Sequence, residues 1–221
     1  MSNTVVITGA NRGIGLALST IFSARGDEVI AICRKSSAEL QALGVDIIDG
    51  IDVTDKVSLD TLRKRLESQK IDILINNAGI LGCEELGSID YDSVQRQFEV
   101  NTLAPLRLTE MLLPNLSAGS KIIMITSRMG SLKDNGSGSY YGYRMSKAAL
   151  NSAAVSLARD LEVRQIMVAL LHPGFVQTGM VNFAGDIGAE QAAEGLLDRI
   201  NELSLENSGS FWHVNGELLP W

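Results

Sequence analysis

The stretch Val5-Val6-Ile7-Thr8-Gly9-Ala10-Asn11-Arg12-Gly13-Ile14-Gly15-Leu16 decides the fold. Three apolar residues run into a glycine-rich turn, and the turn runs into the helical spacing of Leu16, Leu18, Ile21 and Phe22. Gly9 permits a sharp turn, Gly13 lets backbone N–H groups approach a pyrophosphate, and Gly15 lets the helix pack close to the strand. The spacing is G-x-x-x-G-x-G rather than the general G-x-G-x-x-G, and alone it is only a glycine-rich turn. Its place between strand and helix points to dinucleotide binding by Gly9, Asn11, Arg12, Gly13, Ile14 and Gly15.

Outward from this turn, strand-like runs alternate with helical stretches. Residues 29–32, 45–51, 71–75, 122–125, 166–171 and a short segment near Phe211 read as strands. Residues 57–66, 91–113, 141–162 and 189–203 read as helices, and the stretch after residue 32 reads as a linker. Continuous Val/Ile/Leu runs mark strands buried on both faces, as in a parallel sheet with helices on each side. The expectation is an α/β fold: a single doubly wound Rossmann-type domain, residues 1–221, with a mostly parallel seven-stranded sheet.

Composition narrows the function. Of 221 residues 45% are hydrophobic and 20% charged, enough apolar content for one sizeable core and too much for disorder. No apolar run approaches the roughly eighteen residues a membrane span needs, and Met1-Ser2-Asn3-Thr4 lacks the basic start of a signal peptide, so a soluble cytoplasmic protein is expected. A net charge of −7 repels nucleic acid and anionic lipid. Cys33 and Cys83 lie far apart with no C-x-x-C, so neither a disulfide framework nor a metal site is expected.

The second strand runs out into Arg34-Lys35, where an acidic residue would usually hold the ribose 2′-hydroxyl of NAD. With Arg12, these cations can surround a 2′-phosphate, which favours NADP(H) over a merely solvated basic turn.

Tyr143 and Lys147, four apart in a helical stretch, project from one helical face. An adjacent ammonium favours the phenolate, so Tyr143 can exchange a proton with a substrate oxygen near neutrality. Ser127, following the fifth strand, can hold that oxygen by its hydroxyl. Pro105 lies four residues after Asn101 and cannot bond its carbonyl, which either frees that carbonyl to hold a water toward Lys147 or simply kinks the helix.

Taken together, the glycine turn, Asn76-Asn77-Ala78-Gly79, Asn101, Ser127, Tyr143-x-x-x-Lys147 and Pro173-Gly174-Phe175-Val176-Gln177-Thr178 resemble the short-chain dehydrogenase/reductase family over nearly the whole chain. The strings at 141–151 and 215–221 look like its C-factor and sniffer-type carbonyl reductase branch. The resemblance implies a catalytic tetrad of Asn101, Ser127, Tyr143 and Lys147, with Tyr143 as acid–base and Lys147 also on the nicotinamide ribose. It further implies that Asp52 and Val53 bind the adenine edge and that Asn77, Ala78 and Gly79 line the adenosine ribose side. Pro173, Gly174, Val176 and Thr178 would hold the nicotinamide carboxamide. Asp52 can instead cap the helix that follows, a role Thr54 can also fill, and His172 reads as a satisfied structural histidine.

The expected function is NADPH-dependent reduction of a ketone, aldehyde or quinone carbonyl. A non-catalytic NADP-binding signalling or regulatory protein is the alternative, since fold does not fix function. Only ten residues separate Thr178 from Ala189, which suggests an open pocket and a broad or bulky substrate. Pocket residues are expected from 81–84, 131–141 and 175–183, and a homodimer or homotetramer is expected from the likeness.

Overall fold

The computed structural model describes residues 2–221. The carboxyl-terminal edge of a seven-stranded sheet, in the order β3-β2-β1-β4-β5-β6-β7, positions the site. Its strands are β1 (Thr4–Thr8), β2 (Glu28–Ile32), β3 (Asp46–Ile48), β4 (Ile71–Asn76), β5 (Leu116–Ile125), β6 (Met167–His172) and β7 (Phe211–His213). Every adjacent pair is parallel, so the sheet is parallel throughout rather than mostly so. The helices are α1 (Gly13–Ala24), α2 (Ala38–Ala42), α3 (Lys56–Arg65), α4 (Tyr91–Phe98), α5 (Ala104–Leu112), α6 (Tyr141–Leu161) and α7 (Ala189–Glu202).

Strand alternation divides the core between two faces. Val5, Ile7, Ile73, Ile75, Ile123 and Ile125 pack with Leu18 and Phe22 of α1 and with Leu196 and Ile200 of α7. Val6, Leu74, Ile122 and Met124 pack on the other face with Leu62 of α3, Leu108 and Leu112 of α5, and Leu150 and Ala154 of α6. A helix layer therefore covers each face, as the unbroken apolar runs require.

Four local expectations are corrected. The stretch after residue 32 contains α2, started by Ser37, whose side chain accepts from Leu40 N. β5 begins at Leu116, six residues early, because a register shift between Ile71 and Ile73 lets residues 117–120 bulge before pairing resumes at Lys121. The helix from 91 to 113 is interrupted by a π-helical turn, Glu99–Leu103, with Ala104 N bonded to Glu99 O; the missing N–H of Pro105 is accommodated by this wider turn. Asp55, rather than Asp52 or Thr54, caps α3 by accepting from Ser58 N. No helix among the described residues is long and apolar enough to cross a membrane.

Candidate active site

The strand order reverses between β1 and β4, and at that crevice the glycine turn meets the loop after β4. Gly9 and Gly13 adopt φ of +66° and +53°, a left-handed region open to glycine. A Cβ on Gly15 would stand 2.6 Å from Asn77 Nδ2 and nearer still to the Gly9 carbonyl oxygen, so α1 reaches the turn only with glycine there. Thr8 Oγ1 accepts from Asn77 N at 3.0 Å and Ala78 N at 3.1 Å, while Asn77 Nδ2 donates to Thr8 O at 2.9 Å. Thr8, absent from the sequence-based site, thus fixes the edge of the crevice together with Asn77 and Ala78.

Arg12 stands at the start of α1 without a side-chain cap, so the first N–H groups of that helix, Ile14 beside them, have no side-chain acceptor of their own. A Cβ on Gly13 would meet the Thr178 methyl at 3.2 Å, which brings the glycine turn face to face with the segment of Pro173, Gly174, Val176 and Thr178. That segment is folded back by a bridge between Val176 and Ile187 and by Gln177 N on Ile187 O at 2.9 Å. Asn11 Nδ2 donates to Lys35 O at 2.9 Å and draws the turn against the end of β2. Arg12, Arg34 and Lys35 are exposed, and none is ion-paired among the described residues. Asp52, beside the half-buried Val53, accepts from Thr54 Oγ1 at 2.7 Å and Thr54 N at 2.9 Å; these bonds, with the nearby Arg34 charge, lower its pKa. A helix start lacking a side-chain acceptor, a glycine cradle and three free cations fit a dinucleotide phosphate.

The four candidate catalytic residues lie around the ends of β4 and β5. Asn101 is 0% exposed: its Oδ1 accepts from Ile80 N at 2.8 Å, and its Nδ2 donates to Ile80 O at 2.9 Å and Ser146 Oγ at 3.0 Å. Ser146 Oγ in turn donates to Tyr143 O at 2.8 Å, so Asn101 ties the loop after β4 to the first turns of α6. Ser146 was not among the sequence candidates, since its role depends on two distant segments meeting. A Cβ on Gly79 would lie 3.3 Å from Asn101 Oδ1 and 3.8 Å from Lys147 Nζ, so the space left by the missing side chain adjoins both polar groups. Ser127 begins the 3-10 turn Arg128–Gly130 and accepts from Met129 N at 3.2 Å. Gly130 lets that turn press on α6, where a Cβ would stand 2.8 Å from the Lys147 carbonyl carbon.

Lys147 is 4% exposed and donates from Nζ to Ile125 O at 2.8 Å; burial pushes its pKa down to about 8. Its Nζ lies 5.8 Å from the centroid of the half-buried Tyr143 ring. The expected depression of the phenol by this ammonium is corrected. Burial pushes the Tyr143 pKa up, with the Ser127 hydroxyl pulling the other way. The phenol is therefore held protonated, the form that can donate to a developing oxyanion. His172 also departs from expectation: its ring packs edge-on to His213 at 5.0 Å, but its Nδ1 is buried without a partner, and burial pushes its pKa down to about 3.

Glycine turn, switch-point crevice and a Ser/Tyr/Lys/Asn cluster define a dinucleotide-dependent oxidoreductase class. The chain belongs to the short chain dehydrogenase family, whose profile matches residues 3–186. It is 43% identical over 225 residues to the 1-hydroxy-2-glutathionyl-2-methyl-3-butene dehydrogenase of Rhodococcus sp. (strain AD45), covering 99% of this chain and 100% of that one. It is 44% identical over 155 residues to the C-signal protein of Myxococcus xanthus, covering 68% of this chain and 93% of that one. The NADPH-bound carbonyl reductase from chicken fatty liver superposes with a TM-score of 0.88 at 30% identity, covering 100% of this chain and 99% of that chain. With the carbonyl reductase Sniffer of D. melanogaster, which superposes with a TM-score of 0.91 at 27% identity over 100% of both chains, these likenesses fit the C-factor and sniffer-type branch.

Proposed function

We propose that the protein is an NADPH-dependent reductase of a ketone, aldehyde or quinone carbonyl, with Tyr143 as the proton donor. The observation that carries this reading is the half-buried Tyr143 phenol within hydrogen-bond reach of the Ser127 hydroxyl, with the buried Lys147 Nζ 5.8 Å from its ring. Bound nicotinamide supplies the hydride. Ser127 holds the substrate oxygen by its hydroxyl, Tyr143 passes that oxygen a proton, and Lys147 carries positive charge beside the phenol. Asn101 fixes the backbone on which Tyr143 rides through Ser146.

Gly9, Asn11, Gly13, Ile14 and Gly15 take the pyrophosphate, Arg12, Arg34 and Lys35 the 2′-phosphate, and Asp52 and Val53 the adenine edge. Asn77, Ala78 and Gly79 line the adenosine ribose side, Lys147 also holds the nicotinamide ribose, and Pro173, Gly174, Val176 and Thr178 hold the carboxamide. The NADPH-bound neighbour supports the cofactor choice. Exposed Phe175, Met180 and Phe183 after β6 suit a bulky apolar substrate in an open pocket. We place the protein in the cytoplasm as a homodimer or homotetramer, a state light scattering reads.

The C-signal relative favours a second reading, a signalling protein that binds NADP without turnover. NADPH consumption against a panel of ketones, aldehydes and quinones separates the two. Turnover of any panel member supports the reductase, and tight NADPH binding with no turnover supports the signalling reading.

A further inference from the structure

Glu84 lies between β4 and α4 in a segment expected to line the pocket, yet it is 4% exposed and turned inward. It forms no ion pair among the described residues. Its carboxylate is nevertheless well bonded. Oε1 accepts from Ser93 Oγ at 2.9 Å and Gln97 Nε2 at 2.5 Å on α4, and Oε2 accepts from Gly142 N at 3.1 Å at the start of α6. The Glu84 carbonyl accepts from Tyr140 N at 2.8 Å.

The first turn of α6 needs such a partner. Tyr140 precedes it in a left-handed conformation, φ 56° and ψ 40°, and supplies no side-chain cap. A carboxylate 58 residues away in sequence therefore satisfies one of the free N–H groups and meets the positive end of the helix. Charge-assisted bonds of this kind offset the cost of burying the anion. Packing around it is close: a Cβ on Gly142 would stand 2.5 Å from Gln97 Nε2 and 3.0 Å from Val94 Cα. Gly82 N donates to Gln97 Oε1 at 2.9 Å, which ties the loop into the same cluster. The residue after Gly142 is Tyr143.

We propose that Glu84 is a positioning residue: by accepting from Gly142 N while held by Ser93 and Gln97, it sets the first turn of α6 and so the place of the Tyr143 phenol. Asn101 and Ser146 hold the same turn from the opposite end. The proposal rests on Tyr143 being the proton donor.

Glu84→Gln keeps the shape but turns one oxygen into an NH2 that must face either Gln97 Nε2 or Gly142 N, both donors, and the double variant Glu84→Gln/Gln97→Glu gives that NH2 an acceptor at position 97 while the remaining oxygen takes Gly142 N. In Glu84→Gln, kcat falls at least about tenfold while the NADPH Kd stays within about twofold, since misplacing a reacting group by about 1 Å can cost about a hundredfold. In the double variant kcat returns to within about threefold of wild type, the signature of a coupled pair. Ser93→Ala, which removes one donor and keeps the charge, is the milder variant and moves kcat in the same direction. The Tyr143 13Cζ NMR signal, assigned with Tyr143→Phe, shifts in Glu84→Gln and returns in the double variant. That signal needs no substrate, so a wild type inactive on the whole carbonyl panel overturns the reductase reading and leaves this test intact. An unmoved Tyr143 signal with wild-type kcat in folded Glu84→Gln overturns the positioning role, as does a double variant that restores neither.

Discussion

Lys147 Nζ donates to the carbonyl oxygen of Ile125 at 2.8 Å, so the one buried ammonium beside Tyr143 is anchored to the last residue of β5. Burial brings its pKa from 10.5 down to about 8, and the ammonium is thus the form present below that pH. On this account kcat/KM for NADPH, which reports the free enzyme, falls as pH rises through about 8. Stability moves the opposite way: a depressed lysine pKa means the unfolded chain binds more protons between about 8 and 10.5, so the cost of the buried charge is relieved as pH rises across that window. Lys147→Met should lose both the inflection and most of the turnover, as pH-dependent kinetics and melting would record.

Gly15 sets a second expectation. A Cβ there would press on the Gly9 carbonyl, which is backbone, and stand 2.6 Å from Asn77 Nδ2, a side-chain end pinned by its bond to Thr8 O at 2.9 Å. Gly15→Ala should destabilise the fold by about 1–3 kcal/mol, the usual range for overpacking, and weaken NADPH binding. Chemical denaturation and nucleotide titration together check it, and a variant with wild-type values in both would refute the close-packing argument.

Arg34 and Lys35 bear on the choice of nucleotide. Each charge-assisted bond to a 2′-phosphate is worth about 1.5–3 kcal/mol, or roughly ten- to a hundredfold in Kd. Arg34→Ala and Lys35→Ala should each raise the Kd for NADPH by about that factor while leaving NADH within about twofold. Equal losses for both nucleotides would place these cations elsewhere than on the 2′-phosphate.

His172 predicts behaviour in acid. Its buried ring has a pKa pushed from 6.5 down to about 3, so the unfolded chain binds the extra proton first and stability is lost as pH falls through that interval. His172→Phe keeps a ring against His213 and removes the proton. Its melting temperature should fall less than that of wild type between about pH 6.5 and about pH 4.

The parallel sheet and the glycine turn were legible because both are written in contiguous residues: unbroken Val/Ile runs, and glycines at fixed offsets between strand and helix. Helix spacing, the end of the fifth strand and Pro105 single out Tyr143, Lys147, Ser127 and Asn101 as candidates one by one, but no local rule brings Asn101 beside Ser146. What stayed hidden depends on contacts between distant segments. Thr8 holding Asn77, Ser146 relaying Asn101 to Tyr143, and Glu84 capping a helix begun 57 residues later all need the folded chain. The direction of the Tyr143 shift is hidden for the same reason, because burial of the phenol is a property of the packed site.

The most direct measurement is NADPH consumption by wild type and Tyr143→Phe against the carbonyl panel, at nucleotide concentrations that saturate both. Loss of turnover by about a hundredfold or more, with NADPH affinity within about twofold, is the result expected of a lost proton donor. A Tyr143→Phe variant that reduces the same carbonyl at the wild-type rate would contradict the assignment of Tyr143 and the mechanism built on it.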